Sequence, residues 1–132
     1  MLDNSLSKYL ARALHALSEP HDHVVRHISD IVPENTPDVE WLKRLSDEGG
    51  WCIVSHDRFI KSPLEKEALR SSRIVTFRLR KGWSHWREWE KAWNLVRWWP
   101  HIIDMAERMS GGAAFDVPQR FSGKGKFEQV KL

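Results

Sequence analysis

Cysteine is nearly absent: Cys52 is the one thiol in 132 residues. An internal disulfide is therefore excluded, which fits a reducing cytosol. Long apolar runs are missing too, and none approaches the roughly 20 residues needed to cross a bilayer. No charged-then-apolar leader opens the chain, which points away from secretion and toward the cytoplasm. No internal repeat is visible, so a solenoid is not indicated. What remains is 30% charged and 41% hydrophobic, the composition of a globular chain long enough to close a core. Cys52 itself, inside an apolar run, reads as core filler rather than as a nucleophile.

Charge is unevenly spread. The net charge is +3, and all of it resides in residues 118–132, where Arg120, Lys124, Lys126 and Lys131 face only Glu128. A second basic stretch, Arg73 to Arg97, holds seven Lys and Arg against Glu88 and Glu90. Local excess of this kind suits a polyanion, although a solvated surface carries the same signature.

Periodicity orders the chain. Leu6, Leu10, Leu14 and Leu17 recur at helical spacing, with Ser5 or Ser7 as cap and Pro20 as stop. His23 to Ile31 reads as a strand. Thr36-Pro37-Asp38 opens a second helix whose apolar face is Trp41, Leu42 and Leu45, and Gly49-Gly50 ends it. The run Trp51-Cys52-Ile53-Val54 is a strand that ends on Ser55-His56-Asp57. Ser62-Pro63-Leu64-Glu65 is a capping box that starts a third helix. Ile74 to Leu79 is a strand. From Ser84 a long helix places Trp86, Trp89, Trp93 and Val96 on one stripe until Pro100 breaks or kinks it. Gly111-Gly112 closes the regular structure. The expected organisation is one domain over residues 1–112 with an irregular basic tail, 113–132, packed on the domain or extending from it.

Alternation of helices and strands predicts an α/β fold: a mostly parallel sheet in a three-layer α/β/α sandwich. Sites in such sheets form at the carboxyl ends of strands. Asp57 ends a strand. Asp3 follows Met1-Leu2, a stub of a first strand much shorter than the usual five or so residues. Asp38 lies in the first turn of the helix that leads into the Trp51 strand, on the same rim. Converging carboxylates repel unless a cation neutralises them. Mg²⁺ or Mn²⁺, which take few protein oxygens and fill the rest with water, suit such a set. Held so, they activate water and stabilise charge on a phosphate. Each acid also has a plainer role: Asp3 as helix cap, Asp38 at a helix dipole, Asp57 in a turn.

LDNSLSKYLARAL and TPDVEWLKRLSDEGGWCIVSHDRFI resemble a PIN-like nuclease domain of the VapC-type toxin group. The nearest pattern is a compact branch with an early Asp before "NLS", a helix with "DxEW" and a strand ending in "S-x-D". The similarity extends through KGWSHWREWEKAWNLVRWWPHI and FDVPQRFSGKGKFEQV. Asp3, Asp38 and Asp57 fall on the acidic positions, while Ser5 stands where the pattern prefers Asn. The resemblance implies that these aspartates hold Mg²⁺ or Mn²⁺ and cleave RNA, and that the chain is the toxin half of a pair with an antitoxin. Ser5, His56, Arg58, Arg73, Arg120, Lys124 and Lys126 are the expected RNA contacts, largely through phosphates. A degenerate PIN-like module that binds RNA or protein is the competing reading. A receiver-like phospho-acceptor would need a Lys at a later strand end, for which Arg80-Lys81 is a poor substitute.

His21, His23 and His27 share strand parity and could serve zinc, but no Cys joins them and a solvated His-rich surface is the plainer reading. Trp86, Trp89 and Trp93 are expected to fill the core or an interface. Trp98 and Trp99 fall off that stripe and are expected at the surface, as a protein contact such as a homodimer or antitoxin surface, or as a stacking platform for bases.

Overall fold

The computed structural model describes residues 1–56 and 62–132. Its helices are α1 (Lys8–Ser18), α2 (Asp38–Glu48), α3 (Pro63–Arg70) and α4 (Glu88–Arg108). Its strands are β1 (Cys52–His56), β2 (Val75–Leu79), β3 (Ala113–Val117) and β4 (Glu128–Val130). The sheet runs β1-β2-β3-β4, with the first three strands parallel and β4 antiparallel to β3. The α/β sandwich expected from the alternation is what forms. Among the described residues, no helix is long and apolar enough to cross a membrane.

Local chemistry sets the helix ends. Ser7 Oγ accepts from Tyr9 N, and Ser62 Oγ accepts from Glu65 N, each satisfying an orphan N–H. Thr36, expected to cap α2, instead donates to the Pro33 carbonyl at 2.6 Å, and Pro37 is the capping residue. Proline has no side-chain acceptor, so Asp38 enters as the first helical residue with its carboxylate near the positive end of the helix.

The chain start pairs as backbone rather than as a full strand. Leu2 bridges Val54 on one side and His27 on the other. Val54 N donates to Met1 O and Ile28 N to Leu2 O, both at 2.9 Å. The strand expected over His23–Ile31 reduces to that one bridge followed by a 3₁₀ turn, Ile28–Asp30.

Alternation splits the sheet into two apolar faces. Val54, Val75, Phe77, Phe115 and Val117 pack under α1 and α4. Ile53, Ala114 and Met1 pack under α2 and α3. Residues 113–132 are therefore no irregular tail. They supply a fully buried strand and an edge strand, and Phe121 and Phe127 pack on Trp98 with ring centroids 4.9 and 5.1 Å away. Gly111 and Gly112 lead into this strand instead of ending the fold. A Cβ on Gly111, at φ +102°, would sit 2.6 Å from the Arg73 backbone, so that close approach requires glycine.

Trp98 and Trp99 are not at the surface as expected, and of the two places expected for Trp89 and Trp93 the core is excluded. Trp98 is fully buried and Trp99 nearly so, whereas Trp89 and Trp93 are 86% and 56% exposed. The helix carries two apolar stripes. Spacing reveals that residues share a stripe but not which stripe meets the sheet, and here Leu95, Trp98, Trp99 and Ile102 do. Trp86 precedes α4, half-buried, edge-on to Trp83 with ring centroids 4.9 Å apart. Pro100 does not end α4. Its missing N–H would have met the Val96 carbonyl, and both residues lie on the exposed side where water can replace it.

Urea unfolding checks this assignment. Trp98→Ala should cost about 3–5 kcal/mol, and Trp89→Ala should stay within about 0.5 kcal/mol of the parent.

Candidate functional site

The carboxyl ends of β1, β2 and β3 lie on one rim, because the three strands are parallel and in register at His56, Leu79 and Val117. α2 returns into β1, so its first turn reaches that rim. α3 leaves from the same rim after β1. Both helices thus deliver their N-terminal ends beside the strand tips.

Asp3 is anchored there by hydroxyls. Its Oδ1 accepts from Ser5 N at 3.0 Å and from Ser5 Oγ, and its Oδ2 accepts from Ser55 Oγ at 2.5 Å. Ser5 Oγ in turn accepts from His56 N at 3.1 Å. Ser5 therefore ties the turn after Leu2 to the tip of β1. Ser55 is buried and shares the Ile53 side of the strand. Its alternation with Ile53 was the sequence signal for a hydroxyl facing the site, one that a search for a hydrolase triad passes over.

Asp38 stands at the start of α2 and accepts from Trp41 Nε1 at 3.0 Å. Burial pushes its carboxyl above the usual carboxylate range, the Trp41 hydrogen bond works against that, and repulsion from Glu65 and then Asp3 pushes it further up. Glu65 and Asp3 therefore both stand within electrostatic reach of Asp38. Glu65 went unrecognised in the sequence because its backbone N–H closes the Ser62 capping box, a sufficient local reason for a Glu there. Its position in the first turn of α3 was the available signal.

On the other side of the β1 tip, Lys91 Nζ of α4 stands 3.3 Å from His56 Nε2. A cation thus flanks the rim that the sequence reading did not single out. Asp57 and Arg58, expected at the centre of the site, lie outside the described residues.

The remaining expected RNA contacts do not gather at the acids. Arg73 sits before β2, at the opposite edge of the sheet, where its guanidinium donates to the Ser46 and Asp47 carbonyls at the end of α2. That is the work of a helix C-cap. Arg120, Lys124 and Lys126 are exposed on the loop between β3 and β4, which folds back onto α4: a Cβ on Gly125 would meet His101 Cγ at 2.5 Å. His21, His23 and His27 diverge. His27 is buried, not solvated, with Nε2 at 2.8 Å from the Leu6 carbonyl, while His23 lies 3.2 Å from Glu107. Burial pushes the Cys52 thiol up, the reverse of an activated thiolate.

A second polar group shares the sheet face with Asp3. Ser55, Arg78 and Asp116 are register partners across β1, β2 and β3. Arg78 donates from Nε and Nη2 to the two Asp116 oxygens at 2.7 and 3.2 Å, and Arg80 Nη1 donates to Asp116 at 2.9 Å. Desolvation pushes the Asp116 carboxyl up, but the hydrogen bonds and charges of the two arginines outweigh it and hold it below the usual range.

Asp3, Asp38 and Glu65 offer only hard oxygen donors, the set a Mg²⁺ or Mn²⁺ ion takes. Among the described residues no three acids or histidines stand close enough to grip a metal ion, so a complete cage needs a further donor. A family model described as PIN like domain matches residues 1–81, 61% of the chain. No curated protein and no solved structure matches.

Asp116→Asn should cost about 3 kcal/mol at neutral pH, because it leaves Arg78 poorly paired beside a buried amide. The folded carboxyl is depressed, so its stabilisation is present above the ordinary aspartate pKa and fades as pH falls through the depressed one. Denaturant midpoints from neutral to strongly acidic pH should therefore converge for parent and variant.

Proposed function

This chain belongs to the PIN-like domain family, and from that membership we propose that it is a metal-dependent endoribonuclease acting as the toxin of a toxin–antitoxin pair. One observation supports the reading: the Asp38 carboxyl is held above its usual range by burial first and then by the charges of Glu65 and Asp3, a penalty on its charged form that a divalent cation would relieve. Asp3 and Asp38 would hold Mg²⁺ or Mn²⁺, with Glu65 and Asp57 as the further donors. When bound, the cation supplies water activation and charge neutralisation at a phosphodiester.

The chain's own residues do the rest. Ser5 and Ser55 fix the Asp3 carboxylate in one orientation, so little reorganisation is needed on loading. His56 and Lys91, in contact at 3.3 Å, form a basic flank suited to an RNA phosphate. Arg58 and the loop lysines Lys124 and Lys126, with Arg120, would extend that track electrostatically without reading sequence. A cognate antitoxin would silence the toxin until released.

The competing reading is a PIN-like module that binds RNA through the His56 and Lys91 flank without cutting it.

Cleavage of a fluorescent RNA panel with Mn²⁺, Mg²⁺ or EDTA separates the two. The nuclease reading expects metal-dependent cleavage that falls by at least about 100-fold in Asp38→Asn and in Asp57→Asn. Metal-independent traces that are equal for all three proteins would leave only the binding module.

A further inference from the structure

His27 is a buried polar residue that the site leaves out. It is 7% exposed, and both of its ring nitrogens are engaged. Nδ1 lies 3.1 Å from Ser29 N and 2.8 Å from Ser29 Oγ, while Nε2 lies 2.8 Å from the Leu6 carbonyl. A backbone N–H can only donate, and a carbonyl can only accept. Nδ1 therefore carries no proton and Nε2 carries one, the single tautomer that satisfies both partners. With one lone pair taken by Ser29 and the other nitrogen protonated, the ring is no zinc ligand. Its work lies at Leu6. Ser7 caps α1, and its carbonyl takes the first helical bond, from Ala11 N at 3.2 Å. The Leu6 carbonyl precedes that ladder, so α1 supplies it no donor. It is buried against the ring, where an unpaired carbonyl is costly.

That bond fixes the turn that carries Asp3. Residues 3–6 close on themselves, with Leu6 N donating to the Asp3 carbonyl at 3.1 Å. Inside the turn, Ser5 N and Ser5 Oγ both donate to Asp3 Oδ1. The near end is held by Leu2, whose N–H and carbonyl meet Arg26 O and Ile28 N. The far end is held by the His27 ring. One segment, residues 26–28, thus grips both ends of the turn. We propose that His27 is a positioning residue for the Asp3 carboxylate, acting through the Leu6 carbonyl and Ser5. It touches neither the carboxylate nor any ion. Its consequence for cation loading rests on the reading of Asp3 as a metal ligand, whereas its grip on the turn does not. Outer partners of ligating carboxylates are worth about 10–100-fold in metal affinity. His27 acts through two links, so the low end of that range applies.

Two substitutions in the full chain separate the ring's two bonds. Asparagine sets an amide oxygen where Nδ1 stands, and glutamine sets an amide N–H near Nε2. His27→Asn therefore keeps the Ser29 contact alone, and His27→Gln keeps a donor for Leu6. Amide hydrogen exchange reads the turn without any metal. In His27→Asn the Ser5 and Leu6 amides, which donate to Asp3, should exchange about tenfold faster, the equivalent of one lost buried hydrogen bond. The amides of β2 and β3 should keep their protection, and His27→Gln should stay within about threefold of the parent. The Mn²⁺ dissociation constant, read from the paramagnetic resonance of the free ion, should rise about tenfold in His27→Asn and recover in His27→Gln. Unchanged Ser5 and Leu6 exchange in His27→Asn, or a His27→Gln turn as loose as that of His27→Asn, would overturn the proposal. The parent alone gives a further check should the variants fold poorly: long-range ¹⁵N–¹H correlation should show the Nε2–H tautomer of His27, and the Nδ1–H tautomer would overturn the proposal as well. A parent that binds no Mn²⁺ but shows the expected exchange pattern would refute the cation site and support the grip of His27 on the turn.

Discussion

Four backbone hydrogen bonds around a two-residue stub hold the site in place. Leu2 donates to Arg26 O and accepts from Ile28 N, both at 2.9 Å, while Val54 N reaches Met1 O and Asp3 N reaches Val54 O. With Leu2 fixed between the two segments, the parallel offset sends Asp3 to the Ser55 side of the sheet. One residue of slip would turn Asp3 toward the α1 and α4 core and put Leu2 among the polar groups. Full burial of Leu2 and Val54 opposes that slip, so core packing and carboxylate placement are one constraint.

Electrostatics at the rim follows from where the helices begin. Asp38 and Glu65 occupy the first turns of α2 and α3, where helix dipoles favour them singly. Asp38 is nonetheless disfavoured as a carboxylate, by burial first and then by the charges of Glu65 and Asp3. The neighbouring acid, Asp116, has the opposite environment: two arginines neutralise it, and it links β2, β3 and, through Arg80 and Glu128, β4. The two acids thus have different surroundings. Burial and the charges of Glu65 and Asp3 hold Asp38 up, while Asp116 already has its counter-charges and serves the fold.

Much of the fold was legible in local signals. Ser62-Pro63-Leu64-Glu65, the apolar Cys52–Val54 run and the Gly49-Gly50 stop specify their elements with short-range chemistry alone. The β-rich C-terminal segment was not legible: Ala113–Val117 is short, contains Asp116, and is a strand only because β2 and β4 lie beside it. The tryptophans of α4 were misassigned for a related reason, since period alone cannot rank two apolar stripes. At the site, Asp3 and Asp38 were legible from strand ends and helix starts. Glu65, Lys91 and Ser55 were not, because each has an adequate local reason to be where it is. Arg73 attracted attention by charge, yet its guanidinium is occupied by the carbonyls at the end of α2.

Whether the rim acids share one cation is read most directly from crystals of the protein soaked in Mn²⁺ and measured at the manganese edge. An anomalous peak is expected at the carboxyl ends of the parallel strands, about 2.0–2.3 Å from oxygens of both Asp3 and Asp38. No peak at that rim, or a peak held by other residues with Asp3 still bound only to Ser5 and Ser55, would contradict a shared cation.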